Sequence, residues 1–150
     1  AITINETIND TGVYPHAHKP VCWIWTSNRR GHGYLNVSNA IKHSCNYFFY
    51  EVGNRIGIDN LEKYAKYFGL GKKTGIDLNG EASGILFNLD NVGPVELATT
   101  AFGQGVSVTP IQQVTAVSAA INGGYLYKPY VVKSINETYF KVGIISCFIY

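Results

Sequence analysis

Ser44-Cys45-Asn46 is the stretch of this chain whose residue types and spacing could do chemistry. A hydroxyl and a carboxamide two positions apart open the amphipathic run Tyr47-Phe48-Phe49-Tyr50-Glu51-Val52-Gly53-Asn54-Arg55-Ile56, which Gly57 closes as glycines close helices. This places Ser44 in the first turn of a helix, where unpaired backbone N–H groups create a locally positive end. Two readings follow. Ser44 is either an N-cap accepting the amide of Asn46 or Tyr47, with Asn46 merely polar, or a catalytic group. On the tripeptide alone, capping is the commoner use of a serine at a helix start.

Other chemistry-bearing residues are weaker. His16, His18, Cys22 and His32 invite a zinc reading, but their spacing matches no standard ligand pattern and no Cys-x-x-Cys accompanies them. They are read as a polar surface loop, with no metal and no cofactor expected. Arg29 and Arg30 lack interleaved aromatics, so they are read as solvated and not as a nucleic-acid contact. Gly103-Gln104-Gly105 is read as a tight turn between helices in preference to a substrate contact.

The elements that must position these groups are mostly helical. Residues 1–34 are loop-like, with Val21-Cys22-Trp23-Ile24-Trp25 as a possible short strand. Asn36 or Ser38 caps a short helix through His43, and the helix opened by Ser44 buries Phe48, Phe49, Val52 and Ile56. Asp59 starts another helix, with Glu62 as a capping-box variant and Leu61, Tyr64, Ala65 and Phe68 inward, stopped by Gly69 and Gly71. Gly93-Pro94-Val95-Glu96 opens a helix that runs to Gly103. Thr109-Pro110-Ile111-Gln112 is a full capping signature for a helix apolar nearly all round, hence buried. Asn122-Gly123-Gly124 stops it, and Tyr125 to Ile135 reads as extended.

The chain has 150 residues, 46% hydrophobic and 15% charged, with net charge +2. That is a globular domain able to bury roughly 70% of its unfolded surface, without the charge that nucleic acid or a membrane surface would require. Cys22, Cys45 and Cys147 are an odd set at irregular spacing, which argues against a disulfide framework. Cys45 is read as a small buried hydrophobe. The absence of methionine and of a leader or a run long enough to span a bilayer suggests an internal piece of a longer chain.

Taken together, Ser44-Cys45-Asn46, then Gly69-Leu70-Gly71-Lys72-Lys73-Thr74-Gly75-Ile76-Asp77-Leu78, then Gly80-Glu81-Ala82-Ser83-Gly84, then Phe102-Gly103-Gln104-Gly105 to Gln112 form a specific order. It resembles the transpeptidase domain of class B penicillin-binding proteins, of the sporulation or penicillin-binding-protein-2 type, over roughly residues 8 to 135. Ser44 and Asn46 match the family's S-x-N motif. The resemblance implies a mainly α chain with short strands, the helical subdomain of the α/β serine β-lactamase and transpeptidase fold, incomplete. It implies an irregular lead-in over 1–34, a helical part over 35–124 and a strand-like, divergent tail over 125–150.

The resemblance further implies a serine-type enzyme that cross-links peptidoglycan stem peptides, binds β-lactam antibiotics and works at the outer face of a bacterial cytoplasmic membrane. In the family, the S-x-N serine relays a proton and the asparagine holds the substrate amide. Gly103, Gln104 and Gly105 are its weaker substrate-binding candidates. Lys73-Thr74-Gly75 has the letters of the family's third motif, K-T-G, but its context is the separate Thr-Gly-Ile-Asp-Leu turn, so Lys73 is not taken as catalytic. The nucleophile's S-x-x-K is expected upstream and the true K-T-G downstream, in the remainder of the domain; no serine here has a lysine three residues on. The rival expectation is a catalytically dead remnant acting as a structural or interaction module.

Overall fold

The structure, a computed structural model, describes residues 2–86, 92–135, 138–139 and 143–147. Two compact units make up the chain, one from Ala1–Leu61 with Phe87–Gly105, the other from Glu62–Leu86 with Val106–Tyr150.

The first unit carries Ser44. Its β1 (Ile8–Asp10) pairs antiparallel with β2 (Gly33–Leu35), Ile8 opposite Leu35 and Asp10 opposite Gly33. The period-2 alternation turns Ile8 and Asp10 to the same, buried face. Between these strands the residues read as a possible strand instead form α1 (Trp23–Asn28). Val21 makes only an isolated bridge to Val13, and the single buried member of the run, Cys22, precedes the helix. A five-residue apolar run does not by itself separate strand from helix. Then come α2 (Val37–Lys42), capped by the Asn36 side chain accepting from the Asn39 N–H at 3.0 Å, α3 (Asn46–Tyr67) and α4 (Pro94–Thr100).

The α3 run is interrupted where the sequence places a stop: Gly57 has φ 73° and ψ 164°, a non-helical conformation that glycine adopts without a Cβ penalty. Its buried residues are Tyr47, Phe48, Tyr50 and Gly53, so the inward stripe is more aromatic than expected; Phe49 and Val52 pack only partly against the core. Gly53 has a packing reason. A Cβ there would lie 2.4 Å from the Ala101 Cβ, so only glycine permits this approach. Tyr14, Tyr47 and Tyr50 interlock with centroids 5.2 and 5.7 Å from the Tyr14 ring, a core of aromatics whose hydroxyls need partners.

In the second unit, α5 (Pro110–Ile121) begins with a complete capping box from Thr109 and Gln112, as its sequence requires. Gln112 is wholly buried: Oε1 accepts from the Thr109 N–H at 2.9 Å, while Nε2 donates to the carbonyls of Lys72 and Ser83 at 2.6 and 2.7 Å. The helix is not buried all round. Thr115 and Ala119 face inward with Gln112, whereas Val114, Val117 and Ile121 are 60%, 57% and 82% exposed. Apolarity reported composition here, and only neighbours decide burial.

Lys73-Thr74-Gly75 lies in a loop, not on a strand. The Glu81 carboxylate closes it, accepting from the Thr74 N–H and hydroxyl at 2.6 Å and from the Gly75 N–H at 2.9 Å. Lys73 itself is exposed. Glu62 forms an ion pair with Lys66 at 2.8 Å and does not cap. The extended stretch after α5 forms β3 (Tyr125–Tyr127), pairing with β6 (Ile144–Cys147), and β4 (Ser134–Ile135), pairing with β5 (Thr138–Tyr139). The Asp77 carboxylate accepts from the Val131 and Val132 N–H groups at 2.7 and 2.8 Å.

Candidate active site

The Ser44 turn joins α2 to α3 and belongs to both. At the end of α2 the Ser44 N–H donates to the Ile41 carbonyl at 3.1 Å and the Cys45 N–H to that of Ala40 at 2.9 Å. Those two bonds close a Schellman motif, whose residue after the cap must be left-handed. Ser44 is that residue, with φ 51°, where glycine is usual.

Ser44 is therefore outside α3 and is not its N-cap, which corrects the expectation. Cys45 takes that place: its Sγ accepts from the Phe48 N–H at 3.4 Å, three residues on, as a capping side chain does. The sulfur does what the serine oxygen was expected to do, and the hydroxyl is left for something else.

Ser44 is exposed and Cys45 wholly buried, while Asn46, in the first turn of α3, is half-buried. Ser44 and Asn46 line one cavity of about 370 Å³ with Ile41, Phe49, Ala101 and Phe102. The two polar residues thus flank a buried thiol and line the same space. Behind them, the Tyr50 ring meets Phe102 edge to face at 5.5 Å, and its hydroxyl donates to the Val21 carbonyl at 3.3 Å. Burial raises the Tyr50 phenol above its ordinary value, against a smaller opposing pull from the Asn46 side chain.

Gly103, Gln104 and Gly105 do not line this cavity; all three are exposed. The Gly103 and Gln104 N–H groups donate to Thr100 and Thr99 at 2.9 and 3.1 Å, and both glycines have φ near 90°, at 92° and 86°. They form the turn that follows the Phe102 wall.

Beneath Cys45 lies a group of which the sequence offered only two members, Cys22 and His32, and those as parts of a polar surface loop; Cys22 is instead wholly buried and the His32 side chain nearly so. Ligand atoms of Asp10, Cys22, His32 and Cys45 all fall within 4.8 Å of one another in a buried pocket of side chains. The Asp10 carboxylate is 2.6 Å from His32 Nδ1 and 3.3 Å from Cys45 Sγ, and the two sulfurs are 4.0 Å apart. Burial pushes the Asp10 pKa up, but hydrogen bonds from the His32 ring and from the His32 and Gly12 amides outweigh it and hold the carboxyl below its ordinary value. Contact with the Cys45 thiol lowers Cys22, while the same contact and burial raise Cys45.

Two sulfurs, an imidazole and a carboxylate at these separations suit a tetrahedral divalent ion such as zinc. His32 Nε2 is buried with no partner, so this ring is not held by hydrogen bonds on both sides. His16 and His18, from the sequence-based metal set, are exposed and take no part. Asp10 and Cys45 were invisible as partners because they stand 35 positions apart.

Comparison with known proteins adds the family. A model of the penicillin-binding protein transpeptidase domain matches residues 1–145. Stage V sporulation protein D of Bacillus subtilis is 62% identical over 112 residues, covering 75% of this chain and 17% of that protein. Peptidoglycan D,D-transpeptidase MrdA of Escherichia coli is 35% identical over 154 residues, covering 91% of this chain and 23% of the relative. The chain thus spans about a fifth of the length of these relatives. Among solved structures, penicillin-binding protein 2 of Pseudomonas aeruginosa, in complex with WCK 5153, superposes with a TM-score of 0.82 at 29% identity, over 99% of this chain and 36% of that one. Penicillin-binding protein 2 of Helicobacter pylori gives the same TM-score, 0.82, at 32% identity over 99% of this chain and 28% of that one. The helix-rich fold with few short strands is the fold of these neighbours, incompletely spanned. The chain belongs to the penicillin-binding protein transpeptidase family.

Proposed function

We propose that Ser44 and Asn46 form one wall of the catalytic centre of a serine-type D,D-transpeptidase that cross-links peptidoglycan stem peptides and is acylated by β-lactams. Ser44 relays the proton between a lysine base and the leaving nitrogen, and Asn46 orients the substrate amide. One observation carries this reading: the two motif residues share a cavity while the residue between them is buried and does the capping. A left-handed serine costs stability, and a cost retained beside a cavity is how functional groups are commonly held. The attacking serine and its lysine come from the rest of the transpeptidase domain, at the outer face of the cytoplasmic membrane. Among the described residues no helix is long and apolar enough to cross a membrane. Gly103-Gln104-Gly105 enters the proposal only as the turn behind the Phe102 wall.

The test is acylation by penicillin in a chain carrying all the motifs. Ser44→Ala slows it by roughly 10²–10⁴-fold and Asn46→Ala also slows it. Unchanged rates in both would return Ser44 to a purely structural role. The 150 residues alone, which contain no Ser-x-x-Lys pair, take up no stoichiometric penicillin adduct by intact mass.

The buried cluster of donors favours a second reading alongside the first, that this unit holds a divalent metal. Asp10, Cys22, His32 and Cys45 would be its ligands, and the ion would brace the turn on which Ser44 and Asn46 sit. Elemental analysis of the purified protein reads one equivalent of metal, and Cys22→Ser loses it.

A further inference from the structure

Asn46, Phe49 and Gly53 follow one another on one face of α3, three and four positions apart. The first two line the cavity, and the third is buried against the end of α4. A Cβ at position 53 would stand 2.4 Å from the Ala101 Cβ and 3.4 Å from the Leu97 carbonyl oxygen. Ala101 closes α4, its N–H donating to that Leu97 carbonyl at 3.1 Å, and with Phe102 it forms the cavity wall that this helix end contributes. The wall therefore rests on α3 at two points, the bare Gly53 backbone against Ala101 and the Tyr50 ring against Phe102. Gly53 keeps helical backbone angles, unlike Gly57, so no left-handed turn calls for a glycine there. Inside a helix glycine is less favourable than alanine, and the close approach is what it provides.

We propose that Gly53 is a positioning residue for the transpeptidase site: its missing side chain sets how near Ala101 and Phe102 come to Ser44 and Asn46, and so the width of the cavity they share. This rests on the role proposed for Ser44 and Asn46. A methyl at position 53 has no rotamer that turns it away, and neither has the Ala101 methyl. Two such carbons separate to the ordinary contact of roughly 3.5–4.0 Å only if the backbone moves, by about 1 Å or more. A misplacement of about 1 Å at a reacting centre costs roughly 10²-fold in rate.

Two measurements test it. In the 150-residue chain, NMR should show strong nuclear Overhauser contacts between the Gly53 α protons and the Ala101 methyl; their absence overturns the proposal, and no variant has to fold. In a chain with all motifs, Gly53→Ala slows acylation by penicillin about 10²-fold, read well below its melting temperature. Adding Ala101→Gly recovers most of that loss, because the new methyl then meets only the Cα of position 101, at 3.8 Å. A glycine that served stability alone would lower the melting temperature and leave acylation by the folded protein unchanged, which overturns the proposal. So does a slow Gly53→Ala that Ala101→Gly does not rescue. Should Gly53→Ala fail to fold, the double variant decides: fold and acylation restored together uphold the proposal, and the loss of either overturns it. If Ser44→Ala and Asn46→Ala are slow while Gly53→Ala acylates at the parent rate, the inference about Gly53 fails and the site reading stands. If those two variants acylate at the parent rate, the site reading fails, and Gly53 has no site to position.

Discussion

The starts of α3 and α5 pose the same physical problem and solve it differently. Both leave backbone N–H groups without helical partners. At α5, Thr109 and Gln112 satisfy them reciprocally, and the amide end of Gln112 goes on to tie down two distant carbonyls. Every polar atom there serves stability. At α3, the sulfur of Cys45, a weaker acceptor, makes the capping contact, while the better acceptor next to it, the Ser44 hydroxyl, stands outside in a left-handed turn. What fastens α3 is its flank: the Tyr14 hydroxyl donates to Glu51 at 2.8 Å, and Arg55 pairs with Glu51 at 2.7 Å and also with Glu6. A helix held from the side has its end free for chemistry. The lesson is that a poor cap beside an unused serine says more about function than a good one.

The comparison breaks first, and most widely, in the acylation rates: the predicted loss at Ser44 is orders of magnitude, whereas no substitution at Thr109 should approach it in rate per unit of stability lost. The next effect is at Gln112. Gln112→Ala removes three hydrogen bonds of a fully buried side chain and strands two carbonyls, so chemical denaturation should report a loss of about 2–4 kcal/mol. Thr109→Ala removes only the cap and should cost about 1 kcal/mol. Equal losses at the two positions would mean that Gln112 is no more than a capping residue.

The flank of α3 can be read by pH. Burial tends to raise the Glu51 pKa, but hydrogen bonds from Arg55 and Tyr14 prevail and hold it below the ordinary 4.5. A depressed folded pKa stabilises the fold at pH above the ordinary value, and that contribution is lost as pH falls through the folded value. The melting temperature should therefore fall on acidification below about pH 4.5, and Glu51→Gln should flatten this part of the profile. A profile unchanged by Glu51→Gln would move the anchor of α3 elsewhere.

The smallest effect is the most diagnostic. If Ser44 capped α3, Ser44→Ala would cost about 1 kcal/mol. Because Ser44 instead closes α2 in a left-handed conformation, Ser44→Ala should stay within about 0.5 kcal/mol of the parent. Ser44→Gly, free of the Cβ penalty, should gain up to about 1 kcal/mol while losing acylation. A protein made more stable and less active by one change would place the serine there for its hydroxyl alone.

Much of the fold was legible because it is written at short range. The capping box at Thr109, the break at Gly57, the proline-led start of α4 and the turn at Gly103 each involve residues within about four positions of one another, where local sterics and one or two hydrogen bonds decide the outcome. The order of motifs identified the family for the same reason, since it is a property of the string. The tertiary structure decided the rest. Whether Val114, Val117 and Ile121 are buried depends on what lies opposite α5, and the string does not say. Tyr14 reaches Glu51 across 37 positions, His32 reaches Asp10 across 22, and Cys22 reaches Cys45 across 23. The energy of those contacts comes from burial that exists only once the chain has closed on itself. Ser44 shows both in one residue. Its letter and its neighbours marked it as the residue to watch, but only the closing of α2 and the burial of Cys45 took it out of the helix and left its hydroxyl unspent.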